Sequence, residues 1–186
     1  AWSLALALRD RGPVLAWSRD AADRESARAA GIQVCRENGP TWTEQLASTT
    51  VVVIAVPLDE VASVARALLT AVPDDTLVVH TASMQRREVL QLSEQEFERV
   101  FGTHPIAGSE RSGFTAADPG MFRGATVRAE DRATEGQRQR IEMLWRSAGA
   151  ARIAWGAGPA HDELMSWISH LPQLASTALA AVVAGQ

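Results

Sequence analysis

The apolar positions of this chain alternate between two spacings, one typical of strands and one typical of helices. Residues 50–56 form a near-continuous β-branched run, the pattern of a strand covered on both faces in a parallel sheet. Residues 59–69 come next, with apolar side chains at helical spacing that place Val61, Ala65 and Leu68 on one stripe. The pair predicts one strand–helix unit of an α/β fold.

The same alternation continues along most of the chain. It predicts strands at 14–17, 32–34, 76–79, 100–102, 125–128 and 152–154, and helices at 3–11, 21–30, 85–92 and 135–148. Strands that alternate with helices through short links indicate a Rossmann-like, doubly wound parallel sheet. The segment 156–159 is rich in glycine and predicts a hinge. We therefore expect one α/β domain over 1–158 and the first helix of a second domain over 159–186.

Composition narrows the function classes. A net charge of −4 argues against a nucleic-acid-binding face. The single cysteine, Cys35, excludes an intrachain disulfide and fits a reducing compartment. No secretory signal is visible, and the apolar run 174–184 is shorter than the roughly 20 residues a spanning helix needs. We predict a cytoplasmic protein without a membrane segment, with this run as a buried core helix.

The candidate chemistry begins at His104. It lies just after the strand end at 100–102 and opens the segment His-Pro-Ile-Ala-Gly-Ser-Glu-Arg-Ser-Gly, which ends at Gly113. Catalytic groups of α/β folds lie outside the carboxyl ends of the strands, and a neutral imidazole there suits general-base work. The alternative is a core histidine bonded to the backbone.

Two further segments carry candidate residues, one before and one after the His104 segment. Residues 79–85 read Val-His-Thr-Ala-Ser-Met-Gln, and residues 161–173 contain His-Asp, then Ser-His-Leu-Pro-Gln. With the His104 segment, they resemble the motifs of the prephenate dehydrogenase family, which includes arogenate and cyclohexadienyl dehydrogenases. The resemblance implies oxidative decarboxylation of prephenate to 4-hydroxyphenylpyruvate, or of arogenate to tyrosine, with hydride transfer to NAD(P), in tyrosine biosynthesis. Alternatives are a 4-amino-4-deoxyprephenate dehydrogenase and a non-catalytic dinucleotide-binding regulator.

The resemblance also implies residue roles. His104 would be the general base and Ser83 would orient it, although Ser83 is also a candidate helix N-cap. The implied substrate-binding residues are Glu110, His161, Ser169, His170 and Gln173. For Glu110 the alternative is an exposed surface carboxylate. Gln173 replaces a family histidine that helps recognise substrate carboxylates. The motif's Asp and Lys are replaced by His80, expected to be structural or solvent-facing, and Gln85. No metal site is predicted, because His161 and His170 lie on opposite faces of an ideal helix.

The cofactor site is incomplete in the sequence. No G-x-G-x-x-G is present; residues 1–8 resemble the start of the helix after that loop in the family, which would put Ala1 at its third glycine and the first strand upstream. The remaining predicted cofactor contacts are Trp2, Ser18, Arg19, Val56, Pro57 and Ser83. The acidic residue that selects NAD is replaced by Ser18-Arg19, while Asp20 stands one or two positions too late. We therefore expect NADP to be preferred, with NAD possible. The alternative is that Ser18-Arg19 is a solvated turn that contacts no cofactor.

The end of the chain predicts an assembly. Residues 174–183 have no polar face, and a helix that is apolar all round must be buried on every side. The domain over 1–158, which the resemblance implies to be the dinucleotide-binding domain, can cover only one side of this helix. We therefore expect a homodimer built through the helices that begin at Ala160, as the resemblance also implies.

Overall fold

The computed structural model describes residues 1–35, 42–109 and 111–184. Within these ranges the strands are β1 Leu15–Ala16, β2 Gln33–Val34, β3 Val51–Ile54, β4 Leu77–His80, β5 Val100–Pro105, β6 Thr126–Glu130 and β7 Arg152–Gly156. The helices are α1 Trp2–Leu8, α2 Ala21–Ala29, α3 Trp42–Leu46, α4 Val61–Leu69, α5 Arg87–Leu90, α6 Glu94–Arg99, α7 Glu135–Ser147, α8 Gly158–Met165 and α9 Leu171–Ala184. Short 3₁₀ turns occupy Leu58–Glu60 and Phe114–Ala116.

The strands form two hydrogen-bonded sheets. β1 and β2 pair in parallel, and the other five strands are arranged in the order β3-β4-β5-β6-β7. Within the larger sheet only the β5–β6 pair is antiparallel. The prediction of a Rossmann-like, doubly wound parallel sheet is confirmed, and the antiparallel β5–β6 pair is a feature that the sequence did not indicate. A parallel neighbour requires a long crossover, usually helical, whereas the connection after β5 contains only a 3₁₀ turn in its described residues.

Helices cover both faces of the larger sheet. Successive side chains of β4 point to opposite faces, so Val79 packs with Trp145 of α7 while Val78 packs with Val61 of α4. All four are wholly buried. This double winding leaves the carboxyl ends of β3 and β4 at one edge of the sheet, where the predicted chemistry lies.

Two predicted helices are shorter than expected, and two helices, α3 and α6, were not predicted. The helix expected over 3–11 ends at Leu8. The helix expected over 85–92 is limited to α5, because the backbone N–H of Gln85 bonds a side chain instead of starting a helical turn. α6 was not predicted, although its capping box was visible in the sequence. Ser93 accepts from the N–H of Glu96, and the Glu96 carboxylate accepts from the N–H of Ser93.

The end of the chain forms one long helix. α8, a π-helical turn over Ser166–His170 and α9 run on continuously, 27 residues in all, and an 18-residue stretch of them has a mean hydropathy of 1.2. By length and composition alone this helix meets the requirement for crossing a membrane. Every α9 residue is exposed, so the prediction of a buried core helix is wrong for the single chain. The physical reason is that nothing in the described part of the chain covers α9.

Candidate active site

The predicted site residues lie beyond the carboxyl ends of the parallel strands. Ser18 comes after β1, Val56 after β3, and Ser83 after β4. His104 is the fifth residue of β5, which is longer than the strand end predicted at 100–102. This is the edge at which open α/β sheets bind ligands.

His161 joins His104 to the loop after β4, residues 81–86, which we call the Ser83 loop. Nδ1 of His104 lies 3.3 Å from Nε2 of His161, and the two rings meet edge to face. The same Nε2 lies 3.1 Å from the carbonyl oxygen of Ser83. A carbonyl only accepts, so this bond needs the hydrogen of His161 on Nε2. The link observed to Ser83 therefore runs through its backbone, and a bond from its hydroxyl to His104 stays a prediction.

The imidazoles of this site are held neutral. Burial, reinforced by the charges of His161 and His170, lowers the pKa of His104 to about 4. Burial also lowers the pKa of His161, opposed by its bond to Ser83 and the charge of Asp162. Both rings are therefore uncharged at neutral pH, the form in which an imidazole can accept a proton.

His80 is the third histidine in this region. It is fully buried at the end of β4, so the expectation of a structural residue holds and that of a solvent-facing one does not. Burial, followed by the charges of Arg132, His104 and His161, lowers the pKa of His80 to about 3. Its ring nitrogens bond none of the described residues. We assign it no part in the chemistry.

Asp162 fixes the Ser83 loop from the opposite direction. Its carboxylate is 2% exposed and accepts the backbone N–H groups of Gln85 at 2.7 Å and Arg86 at 3.0 Å. These bonds hold the loop where a helix was expected, so Ser83 is not a helix N-cap. The sequence reasoning missed this role. The available signal was an acidic residue beside His161, at a helical position that proves to be buried.

Gln85 is enclosed by a tightly packed set of groups. Its amide donates to the carbonyl of Arg128 at 3.0 Å, and the backbone N–H of Gly102 donates to the buried Glu130 carboxylate at 2.6 Å. A Cβ on Gly102 would lie 2.7 Å from Cγ of Gln85, and one on Gly158 would lie 3.2 Å from Glu130. The two glycines let β5 and α8 approach the Ser83 loop closely.

The residues predicted to bind substrate occupy different environments. Ser169 and Gln173 are exposed and His170 is half-buried, whereas His161 is 1% exposed and packs against His104. Glu110 lies outside the described residues. The expectation that His161 and His170 face opposite ways assumed an ideal helix, but the π-helical turn between them changes the spacing. Both imidazoles act on the pKa of His104.

The predicted cofactor contacts near α1 are partly used within the fold. The Trp2 side chain is buried, and its indole N–H donates to Asp23 at 2.8 Å. The other Asp23 oxygen accepts the backbone N–H of Phe114 at 2.6 Å. Asp23 therefore ties α1 and α2 to the chain just after the His104 segment. Ala1 is exposed.

The turn after β1 carries Ser18 and Arg19, two of the predicted cofactor contacts. The Asp20 carboxylate caps its own helix by accepting the N–H groups of Ala22 and Asp23. One oxygen of this carboxylate, Oδ1, therefore serves as the helix cap. Ser18 is half-buried, and its hydroxyl oxygen accepts the N–H of Asp20 at 3.2 Å, which leaves the hydroxyl hydrogen free to donate outward. Arg19 is exposed.

Comparison with known proteins agrees with this geometry. A family model described as prephenate dehydrogenase, nucleotide-binding domain, matches residues 4–153. The prephenate dehydrogenase of Lactococcus lactis subsp. cremoris is 26% identical over 133 residues, 69% of this chain and 36% of that protein. The prephenate dehydrogenase of Bacillus subtilis is 22% identical over 165 residues, 86% of this chain and 44% of that protein. The chain thus spans less than half the length of these curated relatives.

Solved structures show the same fold. Prephenate dehydrogenase from Aquifex aeolicus superposes with a TM-score of 0.83 at 21% identity, covering 97% of this chain and 66% of that one. A crystal structure of the A. aeolicus enzyme with hydroxyphenyl propionate and NAD⁺ gives a TM-score of 0.83 at 19% identity, covering 99% and 65%. Synechocystis arogenate dehydrogenase gives 0.80 at 22% identity, covering 99% and 66%.

Proposed function

Because this chain belongs to the prephenate dehydrogenase family, through the nucleotide-binding domain, we propose that the protein catalyses the NAD(P)-dependent oxidative decarboxylation of prephenate or arogenate in tyrosine biosynthesis. The observation that carries the proposal is the contact of His104 with His161, which also bonds the carbonyl of Ser83. This contact holds a neutral imidazole at the carboxyl end of β5, facing the edge of the sheet where a substrate binds.

The reaction needs a base at one hydroxyl group. Prephenate carries a hydroxyl at C4 and a carboxylate at C1 of a cyclohexadiene ring. When hydride leaves C4, the hydroxyl proton passes to His104 and a carbonyl forms. Loss of carbon dioxide then returns an electron pair to the ring, which becomes aromatic, and the C4 oxygen takes a proton back to give the phenol. Nicotinamide, when bound, accepts the hydride. The low pKa of His104 keeps its lone pair available at neutral pH.

The base must use the nitrogen that does not face His161. Nδ1 of His104 points at Nε2 of His161, so Nε2 of His104 is left to accept the substrate proton. In the base-competent form Nδ1 of His104 carries the hydrogen and donates it to the lone pair of His161. His161 then holds its own hydrogen on Nδ1, and its Nε2 gives up the hydrogen bond to the Ser83 carbonyl. The tautomers of the two rings are therefore coupled, and the bond to Ser83 belongs to the other tautomer of His161.

The cofactor is proposed to be NADP, with NAD also accepted. Ser18 and Arg19 are both donors, suited to a 2′-phosphate, and one oxygen of the Asp20 carboxylate caps α2. Val56 and Pro57, at the end of β3, and the backbone of Ala1 and Trp2 would line the rest of the site. Replacing Ser18 with Asp is expected to shift preference toward NAD. An unchanged NADP/NAD ratio, or a wild type that already prefers NAD, would refute the preference.

Substrate recognition is assigned to the helix beyond the hinge. Ser169, His170 and Gln173 lie along the π-helical turn and α9, and Glu110 belongs to the His104 segment. Neutral Gln173 cannot form an ion pair with a substrate carboxylate, so strict preference for prephenate is not proposed. Competition between prephenate, arogenate and 4-amino-4-deoxyprephenate in the turnover assay separates these substrates. A non-catalytic regulator predicts cofactor binding without turnover of any of them.

The protein is proposed to act as a cytoplasmic homodimer. Leu174, Leu179, Val182 and Val183 of α9 are each more than 60% exposed, and burial of such a face by a partner helix is favourable. Light scattering on the full-length protein at micromolar concentration tests this assembly. A dimer mass supports it, and a monomer mass contradicts it.

A further inference from the structure

An ion pair joins the turns that come after β1 and β3. Nη2 of Arg19 lies 2.5 Å from Oε1 of Glu60, the last residue of the 3₁₀ turn after β3. The Arg19 side chain is 70% exposed and that of Glu60 is 25% exposed. Arg19 is the cation expected to bind a 2′-phosphate, so an acidic side chain of this chain already occupies the group that the phosphate would use.

The backbone holds this pair in place. Arg24, which is buried, donates to the carbonyl oxygens of Ser18 at 2.5 Å and Arg19 at 2.8 Å. Arg24 therefore holds the backbone of the turn that carries Arg19, and the ion pair with Glu60 orients the Arg19 side chain. Asp20, the acidic residue that follows Arg19, caps its own helix α2.

We propose that Glu60 is a specificity-determining residue, which holds Arg19 and opposes binding of a cofactor that carries a 2′-phosphate. The proposal rests on the function proposed above. A phosphate and a carboxylate compete for one guanidinium, and two anions at that distance repel each other. A ribose with a free 2′-hydroxyl adds no charge, leaves the ion pair intact and can donate to the carboxylate. Glu60 thus counteracts Arg19 in the choice between NADP and NAD.

The test measures binding of two nucleotides by calorimetry, without substrate or turnover. Adenosine 2′,5′-bisphosphate carries the distinguishing phosphate, and adenosine 5′-monophosphate lacks it. Glu60→Gln is expected to raise affinity for the bisphosphate about three- to tenfold, because one competing charge is removed, and to change affinity for the monophosphate less than about twofold. Asp59→Asn is the matched control, because it removes the neighbouring exposed carboxylate; it should leave both affinities within about twofold.

A double-mutant cycle separates competition for Arg19 from general charge. In an Arg19→Gln background, Glu60→Gln should no longer raise affinity for the bisphosphate, because the cation for which the two anions compete is gone. An equal gain in both backgrounds, or an equal gain from Asp59→Asn, would overturn the proposal. Binding of both nucleotides with no response to Glu60→Gln overturns the role of Glu60 alone. Failure of both nucleotides to bind the wild type contradicts the proposed function itself.

Discussion

The carboxylate of Asp162 accepts the backbone N–H of Gln85 at 2.7 Å, joining residues 77 positions apart in the sequence. The preceding residue, His161, bonds the carbonyl of Ser83, so two adjacent side chains of α8 hold the loop after β4. α8 therefore forms part of the frame of the candidate site. A division of the chain at 158 stays a prediction, and in the structure the first turns beyond it pack on the dinucleotide fold.

Replacement of Asp162 should lower the stability of the protein. It should also lower turnover, because Asp162 holds the Ser83 loop in place. Asp162→Ala leaves two backbone N–H groups without an acceptor and should lower the free energy of unfolding by about 2–4 kcal/mol, with about half that loss for Asp162→Asn. Urea denaturation measures the change. Glu163→Gln, at an exposed position of the same helix, is the control and should stay within about 0.5 kcal/mol. An Asp162→Ala variant of native stability would contradict the stabilising role of the bonds from Gln85 and Arg86 to Asp162.

Gly102 should tolerate no side chain while Gln85 is present. The added methyl of Gly102→Ala would overlap Gln85, and we expect a loss of about 1–3 kcal/mol in unfolding free energy. In the double variant with Gln85→Ala the overlap disappears, so the two losses should not add. Gly136→Ala, in α7 with open space around it, should instead stabilise the protein by about 0.5–1 kcal/mol. Additive losses at Gly102 and Gln85 would show that the two positions are not coupled.

The strands and most helices were predictable because their apolar spacing is local information. The antiparallel β5–β6 pair was not, since it depends on the path of a connection and not on the pattern within either strand. The site was predictable only as motifs: His104, Ser83 and His161 were found through the resemblance. Their actual linkage, through the Ser83 carbonyl, depends on packing across 78 residues of sequence. The roles of Asp162 and Glu60 arise from the same kind of distant contact.

Folding stability should depend on His80 below neutral pH. Its pKa is about 3 in the folded protein and 6.5 when unfolded, so the unfolded state binds the proton more readily. Its contribution is complete above pH 6.5 and is lost as pH falls toward 3, about 2 kcal/mol of it between pH 7 and pH 5. His80→Gln should reduce the slope of unfolding free energy against pH over this range. An unchanged slope would contradict the assignment.

Turnover should persist to lower pH than an ordinary histidine base allows. His104 must be neutral to accept a proton, and its pKa is about 4, so kcat/KM should fall only as pH drops through that value. His170→Gln removes one of the charges that lower this pKa, and the acidic limb should then move to higher pH. A wild-type limb centred at 6.5, the ordinary value, would contradict the buried environment of His104.

The most direct test of the account is turnover by the full-length protein and its His104→Asn variant. Prephenate or arogenate is mixed with NADP or NAD, and the absorbance of the reduced nicotinamide is monitored. We expect wild-type turnover, and a decrease of about two to four orders of magnitude in the variant, with cofactor affinity unchanged. No wild-type turnover with either substrate would contradict the proposed reaction. A near-native rate in the His104→Asn variant would contradict the role of the base.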